Sequence, residues 1–495
     1  MSPFKLPQSP RSGRFYKVAN RSVYLSGVSV LAFAVCLHGY FFARGFYAIG
    51  WDESGRTLDA HAWAAHGIVQ VQAWLPFYRI CVGLGLKAFP DLFLTPRIIV
   101  FLFGLAAIPA AAWLAHELFQ SRKTTLLTLI LTTFFSQRVA LSLAPLSDIM
   151  FIFMTLITAA MFARWLRTYS RSALLLTALF GALTSTVRYE GWVLDAAIFV
   201  VGAFYCRCTP IGLKRKDLLL FGVILFSFPL GWAMSTSLMK NPIAVVISDA
   251  QQYSPWAIVR KNPLVEFAIT NGFSLNLIGM ISIVQFMRRG EWRYKAFVAA
   301  SFAPLAVISL AMLLLRSAQS GPSWRMIAVW SLLLVPFTAR FLAGYSWPFS
   351  GGRTSNVLAS CATVLVLSVF LYDAFRIERN STWAFPYSDR LAGKYLDDFI
   401  TAAPDTKILI ESSKYFFLNI QVASQHPEAF VRNSVPEKQS VPILPLGSSV
   451  RDALESRGVT LLVFQDNSYK DFLNRSSEVV KLKTFGPWSV YMLRQ

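Results

Sequence analysis

The sequence predicts a polytopic α-helical membrane protein, with about eleven transmembrane helices, followed by a small C-terminal α/β domain outside the cytoplasm. Apolar residues make up 55% of the 495-residue chain and mean hydropathy is +0.48, beyond the range of soluble domains. Apolar runs of bilayer length recur from residue 23 to 374 and then stop. About 120 residues follow with ordinary soluble patterning. The 47 basic and 26 acidic residues leave a net charge of +21. In such a chain that excess reads as topogenic charge and attraction to membrane lipid headgroups, not as a nucleic-acid surface. The five cysteines, Cys36, Cys81, Cys206, Cys208 and Cys361, have neither disulfide nor metal spacing.

Taken in order, residues 1–22 form a basic cytoplasmic tail with Lys5, Arg11, Arg14, Lys17 and Arg21. The run 23–43 lacks a small-residue cleavage site and reads as a retained first helix. Further spans are expected at 97–118, 124–141, 148–166, 172–188, 191–206, 218–238, 266–287, 296–315, 325–343 and 356–374, closing a membrane domain over 23–374. The segment "PFYRICVGLGLKAF" (76–89) is short for a span. If it lies at the outer face, the clusters Arg122/Lys123, Arg164/Arg167/Arg171, Arg207/Lys214/Arg215/Lys216 and Arg288/Arg289/Arg293/Lys295 all share the cytoplasmic side with the tail. The first external loop then runs from 44 to 96, the N-terminus is cytoplasmic, and the domain over 375–495 is external.

That topology gathers the unusual residues on one face. "GWDESGRTLDAHAWAAHG" (50–67) brings Asp52 and Glu53, "LAPLSD" brings Asp148, and "VRYEG" brings Arg188 and Glu190. "DAQQYSPWAIVRKN" adds Tyr253, and "RSAQSGPSWR" adds Arg316 and Arg325. Charge at a bilayer surface is costly unless it faces a wet or protein-lined cavity, so the cluster is a candidate site. Singly, each residue has a plain reading: an arginine as a snorkelling anchor, Glu190 as a local ion-pair partner of Arg188, Asp52 and Glu53 as first-turn acids of a helix. The functional reading rests on the set, and capping is compatible with catalysis. His61 and His66 are off the i, i+4 register of paired ligands, so no metal site is assigned.

In the C-terminal region "DRLAGKYLDDFITAA" (389–403) and "SVRDALESRG" (449–458) read as helices, and "KILIES" (407–412) and "VTLLVFQD" (459–466) as strands. The alternation suggests a small α/β domain. It carries no phosphate loop and no nucleophile elbow, so its expected role is to shape or cover the membrane site.

Over roughly residues 20 to 345 the chain resembles the GT-C superfamily of polyprenyl-phosphate-sugar glycosyltransferases. The branch it resembles includes the protein O-mannosyltransferases, the lipid A aminoarabinose transferase and the bacterial RgtA/B/C/D-like enzymes. The resemblance lies in the acidic pair of the first external loop, the proline-led "LPFYRICVGLGLKAFPDLFLTPRIIVFLFGLAAIPAAAWLAHELF", the acid opening "PLSDIMFIFMTLITAAMFARW" and the stretch "LTSTVRYEGWVL". The later aromatic-arginine feature survives loosely as "GPSWRMIAVW". The resemblance implies an integral membrane hexosyl- or pentosyltransferase that moves a sugar from a polyprenyl phosphate to an acceptor hydroxyl with inversion. Asp52 would be the general base, with Glu53 and Asp148 orienting the acceptor or, as in some relatives, helping to hold a divalent cation such as Mg or Mn. Arg188, Arg316 or Arg325 would pair with the lipid phosphate, and Glu190 and Tyr253 complete the substrate-binding set. The acceptor stays open among lipid, glycan and protein. Two other classes stand beside this one: a non-enzymatic translocator of lipid-linked glycans, and a structural membrane subunit. The lack of a disulfide framework points to a bacterial plasma membrane.

Overall fold

The computed structural model describes residues 21–49, 52–67, 74–208, 215–237, 251–252, 261–289, 291–314, 317–318, 323–345, 353–381, 387–412, 416–433 and 442–494. The chain begins with α1 (Arg21–Ala43), α2 (Asp52–His66), α3 (Pro76–Ala88), α4 (Leu94–Phe119), α5 (Arg122–Phe134) and α6 (Ser136–Leu141). It continues with α7 (Ser147–Thr168), α8 (Arg171–Ser185), α9 (Glu190–Cys208) and α10 (Arg215–Ser237). Next come α11 (Pro263–Phe273), α12 (Leu277–Arg289), α13 (Trp292–Leu314), α14 (Ser323–Leu333), α15 (Val335–Arg340) and α16 (Arg353–Ser381). Local chemistry sets several ends. Pro76 and Pro263 occupy first turns, Ser121 and Asn262 cap the N-termini that follow them, and Gln120 and Tyr169 close α4 and α7 in the left-handed conformation.

Among the described residues seven helices are long and apolar enough to cross a membrane, or eight if one bent pair counts as a single span. This corrects the expected eleven. Each predicted span is helical over most of its length, yet four fall short of the test or break, the first of them, 23–43, because its apolar helix is the shorter Gly27–Ala43. The predicted 172–188 span is the 15-residue α8. The predicted 124–141 span is split at Phe135, whose backbone is extended. The buried Arg138 there donates to the carbonyls of Thr132 (2.8 Å), Thr133 (2.6 Å) and Gly104 (3.2 Å), so the groups freed by the break find a donor within the bundle. The predicted 266–287 span bends by 111° between α11 and α12 at Leu275, which has φ +57°. Asn276 fills that bend by donating to the Ser331 carbonyl (2.7 Å) and to Asn271 (2.9 Å). Hydropathy does not register such breaks, because side chains rather than composition make them tolerable.

The two most enclosed spans, Ser147–Thr168 and Trp324–Gly344, are each 83% buried over their apolar window. They start at the same end of the bundle, where α8 stops and α9 begins. The opposite end carries the ion pairs Arg167–Glu117 and Arg171–Asp217 and the hydrogen bond from Tyr294 to the Leu118 carbonyl. The basic clusters therefore lie at the far end of the bundle from Asp148 and Arg188. Helix α3, 13 residues long, is not among the spans and packs on α2.

The C-terminal part adds α17 (Tyr387–Ala402), α18 (Phe417–Ala423), α19 (Val450–Leu454) and α20 (Asn467–Arg475) around a five-stranded sheet. Its strands, after the two-residue pair β1 (Gln251–Gln252) and β2 (Ser317–Ala318), are β3 (Lys407–Ile410), β4 (Phe430–Arg432), β5 (Val459–Phe464), β6 (Val479–Phe485) and β7 (Trp488–Leu493). The order is β4-β3-β5-β7-β6, with β3 parallel to β4 and β5, and β7 antiparallel to β5 and β6. Alternation sorts the side chains. Ile408, Ile410, Leu461, Val463, Trp488 and Val490 pack under α17 and α18, whereas Leu409, Leu462, Phe464 and Tyr491 pack under α19 and α20.

Candidate functional site

Five of the sequence-predicted residues meet at one end of the bundle. Arg188, on the turn between α8 and α9, donates to Asp148 at 2.8 Å and to Glu190 at 2.7 Å, with its Nε 3.2 Å from both Glu190 oxygens. Arg325, in the first turn of α14, reaches Asp148 at 3.2 Å and Asp52 at 3.4 Å. Asp148 is thus held from both sides by guanidinium groups. The turn that aims Arg188 requires a glycine: a Cβ at Gly191 would lie 2.9 Å from the Thr184 carbonyl oxygen. Helix α3 braces the arrangement, because Phe77 N–H donates to the Thr186 carbonyl (3.2 Å) and Tyr78 hydroxyl to the Pro145 carbonyl (2.8 Å). Asp59 and Arg79, paired at 2.6 Å, tie α2 to α3.

The acids differ sharply in exposure. The side chains of Asp148 and Glu190 are 3% and 9% exposed, whereas that of Asp52 is 40% exposed and makes only the long contact to Arg325 among the described residues. Its neighbour Glu53 is 1% exposed and accepts the Ile49 backbone N–H at 2.7 Å. Glu53 thereby fixes the chain entering α2, and its charge also acts on Arg325.

Arg56 was not singled out by the sequence. One helical turn after Asp52, its guanidinium stacks 4.8 Å from the Trp74 ring centre, and its charge couples to Asp52, Asp148, Arg188 and Arg325. Its Nε is buried without a hydrogen-bond partner. Burial pushes its pKa down, against the pull of the two aspartates. Burial acts the same way on Arg188, but Asp148 and Glu190 outweigh it and raise the pKa. The i, i+4 spacing from Asp52 was the available signal for Arg56. Arg316 and Tyr253 lie outside the described residues.

Of the clustered acids, Asp52 is the one whose carboxylate is open to a divalent cation. Both Asp148 oxygens face arginines, Glu190 is chelated by Arg188, and Glu53 is turned to a backbone amide. No group of three or more His, Cys, Asp or Glu gathers in metal-binding fashion among the described residues.

No protein-family model and no curated protein sequence matches the chain. Solved structures do. The apo form of ArnT from Cupriavidus metallidurans, an aminoarabinose transferase, superposes with TM-score 0.65 at 14% identity, over 95% of this chain and 98% of that one. The same enzyme bound to undecaprenyl phosphate gives TM-score 0.61 at 13% identity, with the same two shares covered. The chain has the GT-C fold. The mycobacterial arabinofuranosyltransferase AftD shares it at TM-score 0.53 and 13% identity, over 95% of this chain and 40% of that one. In the GT-C frame the chain is a multi-pass membrane protein whose soluble α/β part is included in the ArnT likeness.

Proposed function

We propose that this protein is a membrane glycosyltransferase that moves a sugar from a polyprenyl phosphate to an acceptor hydroxyl at the outer membrane face. The observation that carries the reading is the division of labour among the clustered acids. Asp148 and Glu190 are buried against arginines, while Asp52 alone presents an open carboxylate to the same cationic site. The ArnT structure with undecaprenyl phosphate supports the donor class.

The chemistry needs few groups. The acceptor oxygen attacks the anomeric carbon on the face opposite the phosphate, so the centre inverts, and its proton passes to Asp52. The bond from the anomeric carbon to the phosphate oxygen breaks, and the electron pair leaves on the polyprenyl phosphate. That group gains one negative charge, and Arg56, Arg188 and Arg325 are preorganised to receive it. The 3.4 Å contact between Arg325 and Asp52 is long enough for a phosphate oxygen to replace it. No step is assigned to a metal. Residues 1–22 are proposed as a cytoplasmic tail, 23–374 as the membrane domain with the loop 44–96 outside, and 375–495 as the external domain, in a bacterial plasma membrane.

Asp52→Asn tests the reading. Asn caps a helix about as well as Asp but takes no proton. Transfer of radiolabel from a panel of undecaprenyl-phosphate hexoses and pentoses to membrane acceptors should fall by roughly two to four orders of magnitude in protein shown to be folded. Transfer at the wild-type rate would remove Asp52 as the base and return the acids to a capping role.

A further inference from the structure

The C-terminal domain grips the first external loop at three places, all from the corner formed by α17 and α18. Before α2, Arg390 donates to the Tyr47 hydroxyl (3.1 Å) and lies over its ring. After α3, Gln425 accepts the Leu92 N–H (2.7 Å). Between these, a buried polar chain enters α2 itself. Ser54 Oγ donates to Asn419 Oδ1 (2.8 Å), Asn419 Nδ2 donates to Asp389 Oδ2 (2.9 Å), and Trp488 Nε1 donates to Asp389 Oδ1 (2.8 Å). Ser54, Asn419, Asp389 and Trp488 are each at most 2% exposed.

A buried chain of this kind is directional and intolerant of displacement. If α2 rotates or slides, Ser54 and Asn419 both lose a partner away from water, and each unmade bond has a cost. Nonpolar contact between α2 and α18, such as Leu418 beside Gly55, would hold the two surfaces together but allow them to slip. Ser54 is two residues from Asp52, so the hydrogen bond that fixes one fixes the other. We infer that Asn419 is a positioning residue, and that the C-terminal domain sets the orientation of the Asp52 carboxylate through the chain Trp488–Asp389–Asn419–Ser54. The inference rests on the proposed role of Asp52 as the base.

The test uses full-length protein in nanodiscs and compares Ser54→Ala, Asn419→Ala and the double variant. Three quantities are measured: thermal unfolding, binding of undecaprenyl phosphate, and kcat per folded molecule with the labelled donor panel. Both single variants should bind undecaprenyl phosphate as wild type does and lose between about ten- and a hundredfold in kcat, the range for a misplaced catalytic group. The double variant should lose no more than the worse single one, because both remove the same link. Ser54→Ala guards against misfolding, since alanine is the better helix former and only a hydroxyl is lost. A lowered unfolding temperature with wild-type kcat in both single variants would make the chain a domain glue and overturn the inference. So would multiplicative losses in the double variant. If those results accompany an inert Asp52→Asn, only the positioning role fails. If Asp52→Asn itself turns over at the wild-type rate, the base reading fails and the positioning role falls with it.

Discussion

At the scale of single residues, the site is a balanced set of three arginines and three acids whose members differ in what surrounds them. Asp148 is the keystone of the charge balance, since it is ion-paired with both Arg188 and Arg325. Asp148→Asn would leave those buried guanidinium groups one carboxylate short, and breaking a buried pair costs about 3 to 5 kcal/mol. Asp52→Asn removes a half-open carboxylate with one long contact and should change stability by no more than about 0.5 kcal/mol. Thermal unfolding of the two variants in the same detergent checks the contrast. An equal loss for both would place Asp52 inside the structural network. The sequence shows five members of this site because acids and arginines at span ends are conspicuous. It hides Arg56, which sits in a polar helix where an arginine draws no notice, and it cannot tell which of Asp52 and Glu53 turns inward.

At the scale of elements, polar side chains make possible what hydropathy would forbid. Arg138 stabilises the break between α5 and α6, Asn276 stabilises the bend between α11 and α12, and Gly393 lets α17 meet α18. A Cβ at Gly393 would lie 2.7 Å from the Ile420 carbonyl oxygen. That contact brings Asn419 to Asp389, whose carboxyl pKa is raised by burial despite the hydrogen bonds from Asn419 and Trp488. The sign of the linkage follows from the direction of the shift. A carboxyl with a raised pKa binds its proton more tightly in the folded state than in the unfolded one, where the value is about 3.9. Its contribution is therefore complete below that value and is lost as pH rises through the folded pKa. Unfolding of the full chain followed from pH 4 upward should show this decline, and Asp389→Asn should flatten it. An unchanged slope in the variant would assign the pH dependence to other groups.

At the scale of the whole molecule, the basic clusters at one end and the Asp148 cluster at the other give the bundle a polarity, and positive charge marks the cytoplasmic side. A reporter fused after Gln495 should therefore read as external, and a label directed to the turn between α4 and α5, at Gln120, should react only from the cytoplasmic face. A cytoplasmic signal after Gln495 would invert the placement of every residue in the site. The α/β domain packs on α2, the helix that opens with Asp52, where it can act as a clamp and not only as a cover.

Composition alone was enough to make this chain a multi-span membrane protein with a soluble C-terminal part, because burial in lipid leaves a signal in every residue of a span. The order of acids and arginines along the chain was enough to single out Asp52, Asp148, Arg188, Glu190 and Arg325, because charge near a bilayer is rare and its position is read directly. The tertiary structure alone decided that some predicted spans are short or broken, that Glu53 supports the loop while Asp52 stays open, that Arg56 joins the site, and that Asn419 reaches Ser54 across 365 residues of sequence. Each of these depends on which side chains meet after folding. A hydrogen bond between distant residues leaves no periodicity in the sequence, since either partner would look the same without the other.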